Sequence, residues 1–333
     1  MKKPMIIGSI IIAYVLSVSI GGHQVASMQE PYSGDWTAKV KDTEKGQMLW
    51  LNLTMERDKD GRKSYSNWGF TLPLQDFSGL NPYANSQTQF SLNREAGTVL
   101  FDGLFKDGKG VGDFRFTPNT SFISTLRGLG YDDVPSDKLF SMTIHDVGTR
   151  FIGEMKALGY DKLPIDKLIS FRIFNVNEEF IRKMQSLGYD KIPADKLVAL
   201  RIHNVTEEFI KEFQALGYNK LPLDQLIAMK IHGVSTSFVK EMSDLGYRDI
   251  PVDKLIAFRI HGVSAEFVRG MGEQGFSNIP SDQLVAFRIH GVSPKFVKEM
   301  REMGFNNLTA EDLVKLRIHG VDSDYVKRMK GMR

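Results

Sequence analysis

The chain contains no cysteine among its 333 residues. Disulfides, thiolate metal sites, cysteine nucleophiles and a lipid-modified N-terminal cysteine are therefore excluded. Catalytic motifs are missing as well, because the sequence has no HExxH, no G-x-S-x-G, no Walker loop and no strand-linked G-x-G-x-x-G. These absences predict a non-enzymatic protein with no cofactor and no bound metal.

Neither sign of charge predominates, since the formal net charge is only +3 and acidic and basic residues interleave along the chain. Nucleic-acid-binding proteins usually concentrate basic residues on one surface, so no nucleic-acid partner is expected. The chain has 42% hydrophobic and 25% charged residues and no low-complexity tract. This composition is typical of folded protein and argues against global disorder.

Only one long apolar run is present, Met5–Ile20, and it follows Lys2 and Lys3. A short basic segment before an apolar run is typical of a secretory signal peptide. Residues 1–27 are therefore predicted to direct export, with an uncleaved N-terminal membrane anchor as the alternative. The rest of the chain is expected in the periplasm or outside the cell, and the absence of cysteine favours a bacterial envelope.

Residues 31–118 alternate apolar and polar side chains in the manner of β-strands, as in Trp36-Ala38-Val40 and Leu49-Leu51-Leu53. About six strands in an antiparallel meander are predicted, closed as a small barrel or packed as a sandwich. The aromatic residues could line a ligand pocket, but most fall in strand register, which favours core positions. The glycine cluster from Gly103 to Gly112 has no helix directly after it, which favours close strand packing over a phosphate loop.

Residues 119–333 repeat with a period of 29 residues. The period is seen in a glycine column and in an isoleucine column, which consist of Gly130, Gly159, Gly188, Gly217, Gly246, Gly275 and Gly304 and of Ile144, Ile173, Ile202, Ile231, Ile260, Ile289 and Ile318. A fixed period of this length predicts a tandem array in which each unit packs only on its neighbours.

Each repeat carries start and stop signals for two helices of about ten residues. In one repeat, Pro251 begins the first helix and Gly262 stands just after its end, where a left-handed backbone is common. Ser264 is a favoured N-cap for the second helix, which ends near Gly275. The predicted apolar face of the first helix consists of Leu255, Ile256, Phe258 and Ile260.

The alternation Ile256-Phe258-Ile260 leaves a second possibility, a leucine-rich-repeat-like β-α unit. Such repeats carry an asparagine where Val263 stands, and Thr309 with Asp312 resembles a helix capping box. Both observations favour the helical hairpin. The predicted fold is therefore an α+β multidomain protein, with the β domain followed by an α-solenoid of about seven repeats.

Two polar columns follow the same period. Histidines recur at His145, His203, His232, His261, His290 and His319, with Phe174 at the remaining position. One histidine per repeat does not converge on a metal ion, so a role at the helix C-terminus is predicted. The second column, called the basic ladder, consists of Arg172, Arg201, Lys230, Arg259, Arg288 and Arg317.

The basic ladder is the candidate partner-binding surface, because repetition turns it into a stripe that suits an anionic partner. The alternative is a solvated face that is neutralised by an aspartate column, which consists of Asp166, Asp195, Asp224, Asp253 and Asp282. No aromatic stacking platform accompanies the basic residues, which argues against single-stranded nucleic acid.

The phrase D-K/Q-L-I/V-A-F-R-I-H-G-V-S-x-x-F-V-K-E-M at 253–271 and 282–300 resembles repeats of uncharacterised exported bacterial proteins. It is also similar to arrays that follow the peptidase domain in some β-lactam-sensing antirepressor-like membrane proteins. The resemblance covers residues 119–333 and implies an envelope sensing or regulatory role. It does not imply proteolysis, because this chain lacks HExxH and a multi-span membrane region.

These patterns predict an exported, monomeric binding or scaffolding protein that recognises a protein or an anionic envelope component through its repeat surface. Membrane contact is expected only through an uncleaved N-terminal segment. The alternative is a ligand-sensing regulatory module, in which the β domain binds a small molecule and the solenoid relays the signal to a partner. An aromatic-lined cavity in the β domain would favour the alternative, and a filled core would favour the scaffold.

Overall fold

The computed structural model describes residues 32–44, 46–59, 62–329 and 331. The predicted signal peptide or anchor, residues 1–27, lies outside the described residues. Within the described part of the chain, every helix is too short or too polar to cross a membrane.

Among the described residues, seven antiparallel strands form one sheet with the order β3-β2-β1-β7-β6-β5-β4. Their bounds are β1 (Tyr32–Thr43), β2 (Gly46–Lys59), β3 (Arg62–Pro73), β4 (Phe77–Ser78), β5 (Gln87–Arg94), β6 (Gly97–Lys106) and β7 (Lys109–Pro118). The strands run as a meander whose first and last members pair, so the break in the order falls between β3 and β4. The described strands thus form one continuous antiparallel sheet.

The apolar face of the sheet is filled by aromatic side chains around Trp36, which is 0% exposed. The Trp36 ring lies 5.3 Å from the Phe90 ring and 5.4 Å from the Phe105 ring, although β5 and β6 are separated from β1 by other strands. The sheet is therefore strongly curled. A Cβ at Gly103 or Gly110 would come within 2.8 or 2.7 Å of the Trp36 ring, which confirms close packing at these glycines.

In the described part of the chain, fifteen α-helices follow the sheet. Their bounds are α1 (Thr120–Gly128), α2 (Ser136–Ile144), α3 (Thr149–Ala157), α4 (Ile165–Ile173), α5 (Glu178–Ser186), α6 (Ala194–Ile202), α7 (Glu207–Ala215), α8 (Leu223–Ile231), α9 (Thr236–Asp244), α10 (Val252–His261), α11 (Ala265–Glu273), α12 (Ser281–Ile289), α13 (Pro294–Glu302), α14 (Ala310–Ile318) and α15 (Ser323–Met329). Each even-numbered helix is the first helix of a repeat and the next odd-numbered helix is the second, so α2 and α3 form the first repeat. The prediction of a β domain followed by a helical array is confirmed.

The local signals act as the sequence indicated. Gly262 has a left-handed backbone with φ of 71° after α10, and the Ser264 side chain accepts a hydrogen bond from the Phe267 amide. Thr309 and Asp312 form a reciprocal capping box at the start of α14. The first element of each repeat is helical, so the leucine-rich-repeat-like alternative is wrong. The alternating pattern Ile256-Phe258-Ile260 arises because the exposed Ile260 follows the buried Phe258 on the same helix.

First helices pack on first helices and second helices on second helices along the array. Short helices of this kind are marginal alone, so their stability comes from the side chains buried between neighbours. One recurrent example is a fully buried methionine in the second helix, at Met155, Met184, Met242 and Met271, which are all 0% exposed.

The sheet is joined to the array through α2. The Phe140 ring lies 4.7 Å from the Tyr32 ring, 5.1 Å from Trp68 and 5.3 Å from Phe116. Phe140 itself is fully buried. The first helix of the first repeat therefore completes the hydrophobic core of the curled sheet.

Candidate functional site

The basic ladder lies between successive repeats. The Arg172 Nε–H donates to the His145 carbonyl at 2.9 Å, and Arg201 donates to the Phe174 carbonyl at 3.0 Å. Arg259, Arg288 and Arg317 donate in the same way to the carbonyls of His232, His261 and His290 at 3.2–3.4 Å. Each of these arginines satisfies a carbonyl at the C-terminal end of the preceding first helix, where the helix leaves such groups unbonded.

The same cations stack on aromatic rings of the preceding repeat. The pairs are Arg172–Phe151, Arg201–Phe180, Lys230–Phe209, Arg259–Phe238, Arg288–Phe267 and Arg317–Phe296, with 4.3–5.2 Å between the cation and the ring centroid. A contact of this kind contributes about 0.5–1 kcal/mol at an exposed site. The ladder therefore stabilises the array from repeat to repeat. The cations of the ladder are held by these contacts and are still partly exposed. The partner-binding role of the ladder stays a prediction.

The aspartate column does not neutralise the basic ladder. It pairs with a different lysine column in the contacts Lys138–Asp166, Lys167–Asp195, Lys196–Asp224 and Lys254–Asp282. We call these pairs, together with the Gln225–Asp253 hydrogen bond at 3.0 Å, the Lys–Asp rail. The paired aspartate side chains are 69–83% exposed, so each ion pair contributes little to stability.

A tyrosine column supplies a further contact between repeats. The hydroxyl groups of Tyr131, Tyr160, Tyr189, Tyr218 and Tyr247 donate to the carbonyls of Leu163, Ile192, Leu221, Ile250 and Ile279 at 2.8–2.9 Å. Burial raises the pKa of each of these tyrosines. The column continues as Phe276 and Phe305, which carry no hydroxyl group.

The histidines lie at the C-terminal ends of the first helices, as predicted. The basic ladder bonds the backbone carbonyls of His145, His232, His261 and His290. Burial and the nearby Arg172 guanidinium lower the pKa of His145. Among the described residues, no three His, Asp or Glu side chains are grouped so as to hold a metal ion.

The isoleucine column is exposed in every repeat after the first. Ile173, Ile202, Ile231, Ile260, Ile289 and Ile318 are 50–56% exposed, and we call these six residues the isoleucine band. The prediction that Ile260 belongs to the buried face of its helix is therefore wrong. Around a helix with about 100° per residue, Ile260 lies about 140° from Leu255 and about 160° from Phe258, which are both buried.

The first repeat differs from the others at this position. Ile144 belongs to the same column but is only 2% exposed. Thr143 is buried where later repeats carry the basic ladder, and its hydroxyl donates to the Leu139 carbonyl at 2.9 Å. The helix face that is open in the later repeats is therefore covered in the first one, where α2 packs on the sheet.

The outer face of the sheet carries a shallow, open groove of about 560 Å³. Asp113 on β7 is directly opposite Asp35 on β1 and Asp102 on β6. Like charges in such cross-strand positions destabilise a sheet. The groove is polar, whereas the aromatic residues fill the opposite, inner face of the sheet.

The isoleucine band was missed as a site because the sequence shows only that isoleucine recurs there. Its angular position relative to Leu255 and Phe258 is the signal that could have identified it. The band, rather than the basic ladder alone, is thus the strongest candidate for a functional surface. Comparisons of the chain with models of protein families, with curated proteins and with solved structures found no match.

Proposed function

We propose that the chain is an exported, non-enzymatic binding or scaffolding protein, which recognises a protein or an anionic envelope partner through the extended surface of its repeats. Export is supported by Lys2, Lys3 and the apolar run that follows them. We also infer that the helical pairs build an α-solenoid and that the curled sheet is of the barrel type, open between β3 and β4.

The isoleucine band is the observation that carries this proposal. Isolated exposed apolar residues are ordinary on protein surfaces, but contiguous apolar patches usually mark binding sites. Here one isoleucine is half-exposed in each of six successive repeats. Beside them, Ile256, Val285 and Val314 of the neighbouring column are only partly buried, which widens the apolar strip.

The ligand-sensing alternative has less support. The interior of the sheet is filled by Trp36, Phe90, Phe101 and Phe105, which contact one another and are 0–2% exposed. These side chains occupy the space in which the alternative requires an aromatic-lined pocket for a small molecule. The scaffold is therefore the function that the side-chain packing favours.

The test is capture from envelope extract by the full chain and by a variant in which Ile231, Ile260 and Ile289 are changed to serine. These residues are half-exposed, so the variant should fold and keep its helical circular dichroism. We expect a partner that the unchanged chain retains and that the serine variant retains at least about tenfold less, as the area coefficient for buried apolar surface implies.

The matched control changes the same residues, Ile231, Ile260 and Ile289, to valine, which keeps an apolar side chain at each of the three half-exposed positions. This variant should capture the partner as the unchanged chain does. If the serine variant of the isoleucine band also captures every partner equally well, the band is not the recognition surface and the proposal fails.

A further inference from the structure

The first repeat shows what the face bearing the isoleucine band can bind. In α2 this face carries Phe140 and Ile144, which lie four residues apart on one side of the helix. Phe140 contacts the aromatic rings of Tyr32, Trp68 and Phe116. Ile144 is only 2% exposed, and its helix packs on β5, β6 and β7. The isoleucine band is continuous with this internal interface, because it occupies the same column in the six repeats that follow.

Charge differs between the two edges of the band. In the chain, each isoleucine directly follows a cation of the basic ladder, as Ile260 follows Arg259. The guanidinium group of Arg259 is fixed by the His232 carbonyl and the Phe238 ring, so it is preorganised for an anionic partner. The other edge is the Lys–Asp rail, where Asp253 lies seven residues or about 10.5 Å before Ile260 along the helix.

The spacing of the band suits a narrow partner. First helices packed side by side are about 8–10 Å apart, so successive isoleucines recur at about that distance. In an α-helix, residues seven positions apart are separated by about 10.5 Å, and a helix with its side chains is about 10–12 Å wide. One helix can therefore lie along the band and place one apolar side chain beside each repeat.

A flat anionic bilayer fits this surface less well. It would cover both edges of the band together and would bring the exposed carboxylates of Asp195, Asp224 and Asp282 against lipid headgroups of the same charge. A single helix can contact the cationic edge and leave most of the Lys–Asp rail in water. Width and charge together favour a polypeptide partner over a membrane.

We propose that the isoleucine band binds an amphipathic helix of a partner protein, which carries apolar residues about every seven positions and acidic residues on the flank that faces the basic ladder. This inference rests on the proposed function, because it names the partner class for the same surface. The apolar side chains would provide the buried area, and the acidic flank would set the direction of the helix along the array.

The test uses two synthetic, fluorescein-labelled peptides of four heptads, with leucine on one face and either glutamate or lysine on the flank. Fluorescence anisotropy with the full chain should show saturable binding of the glutamate peptide. Binding of the lysine peptide should be at least about tenfold weaker, because like charges would meet at the cationic edge. Binding of the glutamate peptide should also weaken as salt is raised from 0.05 to 0.5 M.

The variant that changes Ile231, Ile260 and Ile289 to serine should bind the glutamate peptide at least about tenfold more weakly. The same three residues changed to valine should bind it as the unchanged chain does, because an apolar side chain remains at each position. Equal binding of the two peptides would overturn the inference, as would undiminished binding by the serine variant. Binding to vesicles with anionic lipid, without peptide binding, would also overturn it.

The two proposals can fail separately. If capture from envelope extract depends on the isoleucine band but the glutamate peptide does not bind there, the proposed function stands and the helical, acidic partner class is wrong. If neither the extract nor the peptide gives binding that depends on the band, both proposals fail.

Discussion

The first repeat and the six later ones use the same helix face in opposite ways. In α2 the face is buried against the curled sheet, with Phe140 fully buried and Ile144 only 2% exposed. In α10 the corresponding Ile260 is 53% exposed, although the neighbouring core residues Leu255 and Phe258 are as buried as those of α2. The comparison teaches that the repeat core does not require this face to be covered, because the later repeats fold without covering it.

The second difference concerns how the helices are capped. The second helices α5, α7, α9, α11 and α13 are each capped by the side chain of the residue that precedes them, which is Asn177, Thr206, Ser235, Ser264 or Ser293. Gly148 stands at this position in the first repeat and has no side chain to offer. Glu95, from the turn between β5 and β6, accepts instead from the Thr149 amide at 2.9 Å and from the Thr149 hydroxyl at 2.7 Å.

The largest expected effect is that of Ile144→Ala in the first repeat, compared with Ile260→Ala at the same column of a later repeat. Ile144→Ala should lower the free energy of unfolding by about 2–5 kcal/mol, because it leaves a cavity between α2 and the sheet. Ile260→Ala should change it by less than about 1 kcal/mol, since half of the side chain is already in water and alanine has the higher helix propensity. Urea unfolding followed by circular dichroism measures both, and similar losses would mean that the two faces do not differ as described.

The next effect is the loss of the cap that the sheet supplies. Glu95→Ala should destabilise α3 by about 1 kcal/mol, the usual value for removing a capping side chain. Hydrogen exchange should locate the loss at the first amides of α3. Adding Gly148→Ser should restore much of it, because a local cap then replaces the distant one.

The rescue has its own control. In the unchanged chain, a Cβ at Gly148 would lie 2.8 Å from the Glu95 carboxylate, so Gly148→Ser alone should not stabilise α3. If Gly148→Ser fails to help in the Glu95→Ala background, the contact between Glu95 and Thr149 is not the cap of this helix.

The period, the caps and the helix pairs could be predicted from the sequence because they depend on residues close together in the chain. Ser264 caps α11 and Gly262 ends α10 through contacts within a few residues. The prediction that Ile260 is buried is wrong because it rests on the apolar character of isoleucine alone. The angular position of Ile260 around the helix places it away from the core. The bonds of Arg259 to His232 and of Glu95 to Thr149 cross 27 and 54 residues, so no local pattern could predict them.

The tyrosine column offers a comparison within the array. Tyr218→Phe should cost about 0.5–1.5 kcal/mol, because the Ile250 carbonyl loses its 2.9 Å hydrogen bond. Phe276→Tyr should raise the free energy of unfolding by a similar amount, since the Leu308 carbonyl occupies the equivalent position 32 residues later. Thermal unfolding of the two variants measures both changes, and a destabilised Phe276→Tyr variant would show that the last repeats have no room for the hydroxyl group.

The smallest expected effect is the pH dependence that His145 gives to the stability of the chain. Burial, together with Arg172, lowers the pKa of His145 in the folded chain, so the unfolded chain binds a proton more readily there. Stability should therefore be full above the unfolded value of about 6.5 and should fall as the pH drops below it. His145→Asn keeps a residue suited to the helix end and removes this titration, so its stability relative to the unchanged chain should improve from pH 7.5 to pH 5. Identical pH profiles for the unchanged chain and for His145→Asn would show that covering the first repeat has no effect on this titration.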